Sequence, residues 1–88
     1  MPKFMSMHTM APGAFTREHI EAMAQAAQND PVVQPYRSFC CLGEGRAVCV
    51  LEGPDKASVE LWLRQMNMPT DCVALLELEG DRGVIADA

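Results

Sequence analysis

The sequence predicts an α+β domain in the order strand, helix, strand, strand, helix, strand, and three observations carry that prediction. The opening residues, MPKFMSMHTM, alternate along the chain as a strand does. Two stretches repeat apolar residues at helical spacing behind residues that cap helices. Two apolar runs flank a short glycine turn, the pattern of a hairpin.

In the first strand Phe4, Ser6, His8 and Met10 share one face, and Met5 and Met7 share the other. Ala11-Pro12-Gly13-Ala14 breaks the alternation. Thr16 is placed as an N-cap, Glu18 suits the positive helix end, and Phe15 can staple onto Ile20. Ile20, Met23, Ala24 and Ala27 then mark the buried stripe of a first helix, which Asn29-Asp30-Pro31 ends. Tyr36 to Leu42 reads as a second strand, Gly43-Glu44-Gly45 as its turn, and Arg46 to Glu52 as a third strand. After Gly53-Pro54, Asp55 caps a second helix whose stripe is Val59, Trp62, Leu63 and Met66, with Glu60 and Arg64 paired on its wet side. Pro69 closes it, Asp71 to Glu79 is a last strand, and Gly80 to Ala88 is a polar tail. This is the ferredoxin-like βαββαβ arrangement: a four-stranded antiparallel sheet, first and third strands central, both helices on one face. The uncovered face is too apolar to stay wet, so two sheets are expected to pack face to face as a homodimer, a dimeric α+β barrel.

Length and charge narrow the function. The 88 residues make a single domain, 1–88. A chain of this size buries only about 60–65% of its unfolded surface, so association would help it. A net charge of −5 with scattered arginines does not suit a phosphate backbone, so no nucleic-acid partner is expected. No segment approaches the ~20 apolar residues of a membrane span, and Ser6 and His8 interrupt any signal-peptide core. The expected location is cytoplasmic.

His8 is the residue of this chain that offers chemistry. Ser6 and His8 are polar, so the first strand is expected to turn Met5 and Met7 toward the helices and His8 toward the open face. Ser38 and Cys40 share a face of the second strand, Cys49 shares one with Ala47 and Leu51, and Cys72, Ala74, Leu76 and Leu78 look like the core face of the last. The open face then gathers His8, Cys40 and Cys49, donors that suit nickel, copper or zinc better than magnesium or calcium. The competing account makes His8 a hydrogen-bonded interface residue. A third pairs His8 with Glu52 as an acid–base couple in a small-molecule-binding or enzymatic barrel with an apolar pocket. The four cysteines include no CxxC pair, and in the absence of an export signal they read as reduced thiols. Among the methionines Met5, Met7 and Met66 read as packing, and Met68, beside Pro69, as the free one. No GxSxG, HExxH, P-loop or GxGxxG occurs.

Three segments, MPKFMSMHTM, AVCVLEGPDKASV and MPTD, resemble a family of small bacterial ferredoxin-like proteins of unassigned function. Its members start M-x-x-F-M-x-x-H, end the third strand F-C-L-x-E-A-P-S, and open the last segment H-P-A-D. Phe4, Met5, His8, Cys49, Glu52, Pro54, Pro69 and Asp71 fit these patterns. The resemblance implies a dimeric α+β barrel, and some members are nickel-binding or nickel-responsive, which implies nickel as the cofactor here. Leu63 and Met68 stand where that family would carry histidines. A metal on His8 would therefore need thiols, or a partner subunit, to complete its ligands.

Overall fold

The computed structural model describes all 88 residues: β1 (Lys3–Thr9), α1 (Arg17–Gln28), β2 (Gln34–Cys41), β3 (Arg46–Glu52), α2 (Lys56–Gln65), β4 (Cys72–Leu75), β5 (Leu78–Asp81) and β6 (Val84–Asp87). The first four strands form an antiparallel sheet in the order β2-β3-β1-β4, so β1 and β3 are central as expected. Both helices lie on one face, where Phe15, Ala27, Val59, Trp62 and Leu63 meet Phe4, Ala47, Leu51 and Val73.

The helix ends follow their capping chemistry. The Thr16 hydroxyl accepts from His19 N at 3.1 Å, and the Asp55 carboxylate accepts from Ser58 N at 2.8 Å. Thr16→Ala is expected to cost about 1 kcal/mol, a drop of about 4–8 °C in a domain of this size, while Thr16→Ser keeps most of it. Thermal unfolding followed by circular dichroism checks this, and an unchanged midpoint would show α1 to be held by packing alone. Glu60 and Arg64 do not pair; the helical ion pair is Arg17–Glu21, at 2.8 Å.

Helix α2 ends in a Schellman motif. Asn67 takes the left-handed conformation at φ 54°, Asn67 N donates to Arg64 O, and Met68 N donates to Leu63 O, each at 3.0 Å. That motif brings the residue two past the cap against the last inward residue of the helix, which turns Met68 into the interior beside Leu63. At the same end of β1 a short 3₁₀ turn, Leu42–Glu44, leads to Gly45 at φ 68°, whose carbonyl accepts from Met10 N at 2.7 Å. This contact ties the end of β1 to the β2–β3 hairpin.

Three further expectations differ from the structure. The face of β1 is reversed: Phe4, Ser6 and His8 point at the helices and are buried, while Met5 and Met7 lie on the open face with Phe39, Val48 and Val50. Ser6 and His8 can be buried because each satisfies the other. On β4 the inward residue is likewise Val73, with Cys72 and Ala74 facing out. Finally, the last strand does not run through to Glu79. After Leu76 N donates to Lys3 O the chain leaves the sheet and makes a second, two-stranded sheet from β5 and β6. Its turn, Arg82-Gly83 with φ 52° and 84°, has the positive dihedrals of a type I′ hairpin, so the supposed polar tail is structured.

Candidate metal centre

His8 sits at the centre of the helix-covered face, 2% exposed, with both ring nitrogens engaged. Nδ1 is 2.8 Å from the carbonyl oxygen of Pro69. A carbonyl only accepts, so Nδ1 carries the proton and Nε2 holds a lone pair. The Ser6 hydroxyl, 2.7 Å away, donates to that lone pair. The same hydroxyl reaches the Cys49 carbonyl at 3.4 Å, so it has a second acceptor to turn to. Burial pushes the His8 pKa below its ordinary value, against smaller upward pulls from the Pro69 carbonyl and the Asp71 charge. The imidazole is therefore neutral at pH 7, with a fixed tautomer.

The loop after α2 is clamped to β1 from several points. Asp71 N donates to Met7 O at 2.7 Å, and Thr9 Oγ1 donates to the Asp71 carboxylate at 2.6 Å. Thr70 Oγ1 donates to Met68 O at 3.0 Å. These bonds hold the Pro69 carbonyl where His8 needs it. A ring nitrogen donating to a backbone carbonyl while the other keeps its lone pair is how proteins orient a histidine that ligates a metal.

Beside His8 lies a cavity of about 50 Å³ between α1 and the sheet. Its wall includes His8 from β1, Cys49 and Leu51 from β3, Ile20, Met23 and Ala27 from α1, Trp62 and Leu63 from α2, and Met68 from the Schellman turn. The half-buried Cys49 thiol is pushed up by burial and drawn back by a hydrogen bond with Ser38, its cross-strand neighbour. Leu63 and Met68 also line an outer cleft of about 230 Å³ that carries Glu60, Arg64, Thr70, Asp71 and Cys72, so the two residues form a shared wall.

The structure brings together only part of what the sequence suggests. His8, Cys49 and Cys40 do share one face, but it is the helix-covered face and not the open one. Cys40 belongs to an edge strand, is exposed, and does not line the cavity; burial and then its Cys49 and Cys41 neighbours push its thiol up. No three side chains from His, Cys, Asp and Glu form a metal-holding group. Glu52 pairs with Lys3, five residues along β1 from His8, a separation of roughly 16 Å at about 3.3 Å per residue. The two cannot share a proton. Sequence reasoning missed Ser6 as the partner of His8, and it read Met23 as packing only.

Ser6, His8 and the Pro69 carbonyl also have the spacing of a nucleophile, its base and an orienting acceptor. Ser6 is fully buried and does not line the cavity, so a substrate carbon has no approach to its oxygen. The arrangement fixes an imidazole; it does not present a nucleophile.

No protein-family model and no curated protein matches this sequence. Among solved structures the chain is similar to SCO4226 from Streptomyces coelicolor A3(2), with a TM-score of 0.74 and 21% identity over 89% of this chain and 99% of that one. At that identity the likeness is one of fold: a small α+β domain. No helix is long and apolar enough to cross a membrane.

Proposed function

We propose that this chain is a small metal-binding protein of ferredoxin-like, dimeric α+β-barrel type, which holds a soft or borderline transition-metal ion between α1 and the sheet with His8 and Cys49 as ligands. The observation that carries this reading is the cavity beside a pre-oriented neutral imidazole, with a thiol in the same wall. Its size separates an ion from an organic ligand. Pockets for small molecules run to about 300–1,000 Å³, and about 50 Å³ holds little more than an ion. Nickel, which the family resemblance suggests, fits poorly: one imidazole and one thiol fall short of its ligand number, and the remaining polar atoms are bonded to protein.

The dimer reading rests on the open face. Only 16 of 88 residues are buried, a small core for a domain that must stand alone. Phe39 is 62% exposed beside Met5, Val48, Val50 and Leu78 in an apolar groove, and Val84 and Ile85 project from the β5–β6 hairpin. A second copy laid across that groove would cover both.

Native mass spectrometry with nickel, copper and zinc added in turn tests both parts. With the exposed thiols Cys40, Cys41 and Cys72 changed to serine, the expected result is a dimer taking up one ion per chain, with the added Cys49→Ser bare but dimeric and the added Phe39→Glu shifted to monomer. A wild-type dimer that stays bare with every ion would overturn the metal reading, and a wild-type monomer would overturn the barrel.

A further inference from the structure

Four residues that carry a sulfur or nitrogen metal donor, not two, line the His8 cavity. Met23 and Met68 line it with His8 and Cys49, and among the other lining side chains only Ser38 carries a metal-donor atom. Each methionine arrives by its own route: Met23 on the inward stripe of α1, Met68 through the Schellman turn after α2. Resting on the metal-binding reading above, we infer that the ion is monovalent copper, Cu(I), held by His8 Nε2, the Cys49 thiolate and the sulfurs of Met23 and Met68.

Two physical arguments select that ion. Thioether and thiolate sulfur are soft donors that prefer Cu(I), and hard ions find no carboxylate in the wall. Charge points the same way. One thiolate cancels the charge of a monovalent ion, so the loaded cavity is neutral, whereas a divalent ion would leave a net positive charge among Leu51, Trp62 and Leu63. Binding is a ligand exchange with no electron transfer. The Cys49 S–H bond breaks, its proton leaves to water, an S–Cu bond forms, and copper stays Cu(I). Nε2, which faces Ser6 Oγ at 2.7 Å, is freed when the Ser6 side chain rotates its oxygen off the ring and its hydroxyl donates to the Cys49 carbonyl, the acceptor now 3.4 Å away.

The exposed thiols Cys40, Cys41 and Cys72 would bind copper on their own account, so the test uses the full chain with those three changed to serine. Cu(I) is titrated anaerobically with ascorbate against bathocuproine disulfonate, and Ag(I) serves as its redox-inert probe. One ion per chain is expected. Cys49→Ser should weaken binding more than about 100-fold, beyond what changes outside the ligand shell cost, and the paired Met23→Leu and Met68→Leu changes by about 10–100-fold. The ε-methyl resonances of both methionines should shift on Ag(I) addition, and neither Ni(II) nor Zn(II) should displace it. Unmoved methyls, or full affinity in the double leucine variant, would overturn the Cu(I) site while leaving a His8–Cys49 metal site standing. Preference for Zn(II) or Ni(II) would do the same. If no ion binds, the metal-binding reading falls with it. Leucine fills nearly the volume of methionine, so a folded variant is expected, and an unchanged circular dichroism spectrum confirms it.

Discussion

Replacing Gly45 with alanine is expected to remove most of the stability of the fold at 25 °C. Two separate penalties add at this position. Gly45 has φ 68°, where an alanine Cβ costs about 1–2 kcal/mol. That Cβ would also lie 2.1 Å from Met10 O and 2.8 Å from Ala11 O. Both obstacles are backbone atoms, so no side-chain rotation relieves them. The chain must instead move the β2–β3 turn away from the end of β1 and give up the Met10 N to Gly45 O bond at 2.7 Å. A total above about 4 kcal/mol follows, against a net stability of about 5–15 kcal/mol for a typical domain and the low end of that range for one with so small a core. Gly43, two residues away in the same turn, is the control. Its φ is not positive and a Cβ there meets nothing within 4 Å, so Gly43→Ala should change stability by no more than about 0.5 kcal/mol. Chemical denaturation of both variants checks the pair. A folded Gly45→Ala protein with a near-normal midpoint would mean that the turn relaxes freely and that its tie to β1 carries little.

The same turn shows what was legible in the sequence. Gly43-Glu44-Gly45 between two apolar runs announces a hairpin by local chemistry alone, and Thr16 and Asp55 announce the helix starts in the same way. Element order then fixes the strand order, because antiparallel neighbours and two crossovers leave β1 and β3 in the centre. The direction of the β1 faces was not legible. Alternation states which residues share a face, so His8 and Cys49 were rightly grouped, but it does not state which face the helices cover. Polarity suggested the open face for Ser6 and His8, and polarity misled because the Pro69 carbonyl, 61 residues away in the chain, satisfies the ring. Cys40 shares the face of His8 and Cys49 by the same alternation and drops out because it lies exposed on the edge strand, outside the cavity wall. Met23 required the rotation of α1 over the sheet, which no local pattern contains. The β5–β6 hairpin was legible and overlooked: Asp81-Arg82-Gly83 between Leu78 and Val84 is turn chemistry between strand residues, hidden by its charge.

His8 gives the second large effect, and its sign with pH separates a structural imidazole from a charged one. In metal-free protein His8→Ala removes a buried ring and leaves the Ser6 hydroxyl and the Pro69 carbonyl without their partner, a loss of about 3 kcal/mol at pH 8 from the void and the orphaned polar groups together. Wild type should itself weaken on acidification. The folded-state pKa of His8 lies below 6.5 because burial disfavours its charged form, whereas the unfolded chain titrates at its ordinary value. Between the two, the unfolded state binds the proton and the folded state does not. The contribution of neutral His8 is therefore complete above pH 6.5 and is lost progressively as pH falls from 6.5 through the lower folded value. Alanine does not titrate, so the gap between wild type and His8→Ala should be widest near pH 8 and narrow toward pH 5. Urea unfolding with EDTA present at pH 8, 6.5 and 5.5 measures that gap directly. A gap that widens in acid would mean that the folded protein prefers imidazolium. Nε2 would then donate to Ser6 and have no lone pair for a metal, and the proposed metal centre would lose its nitrogen ligand.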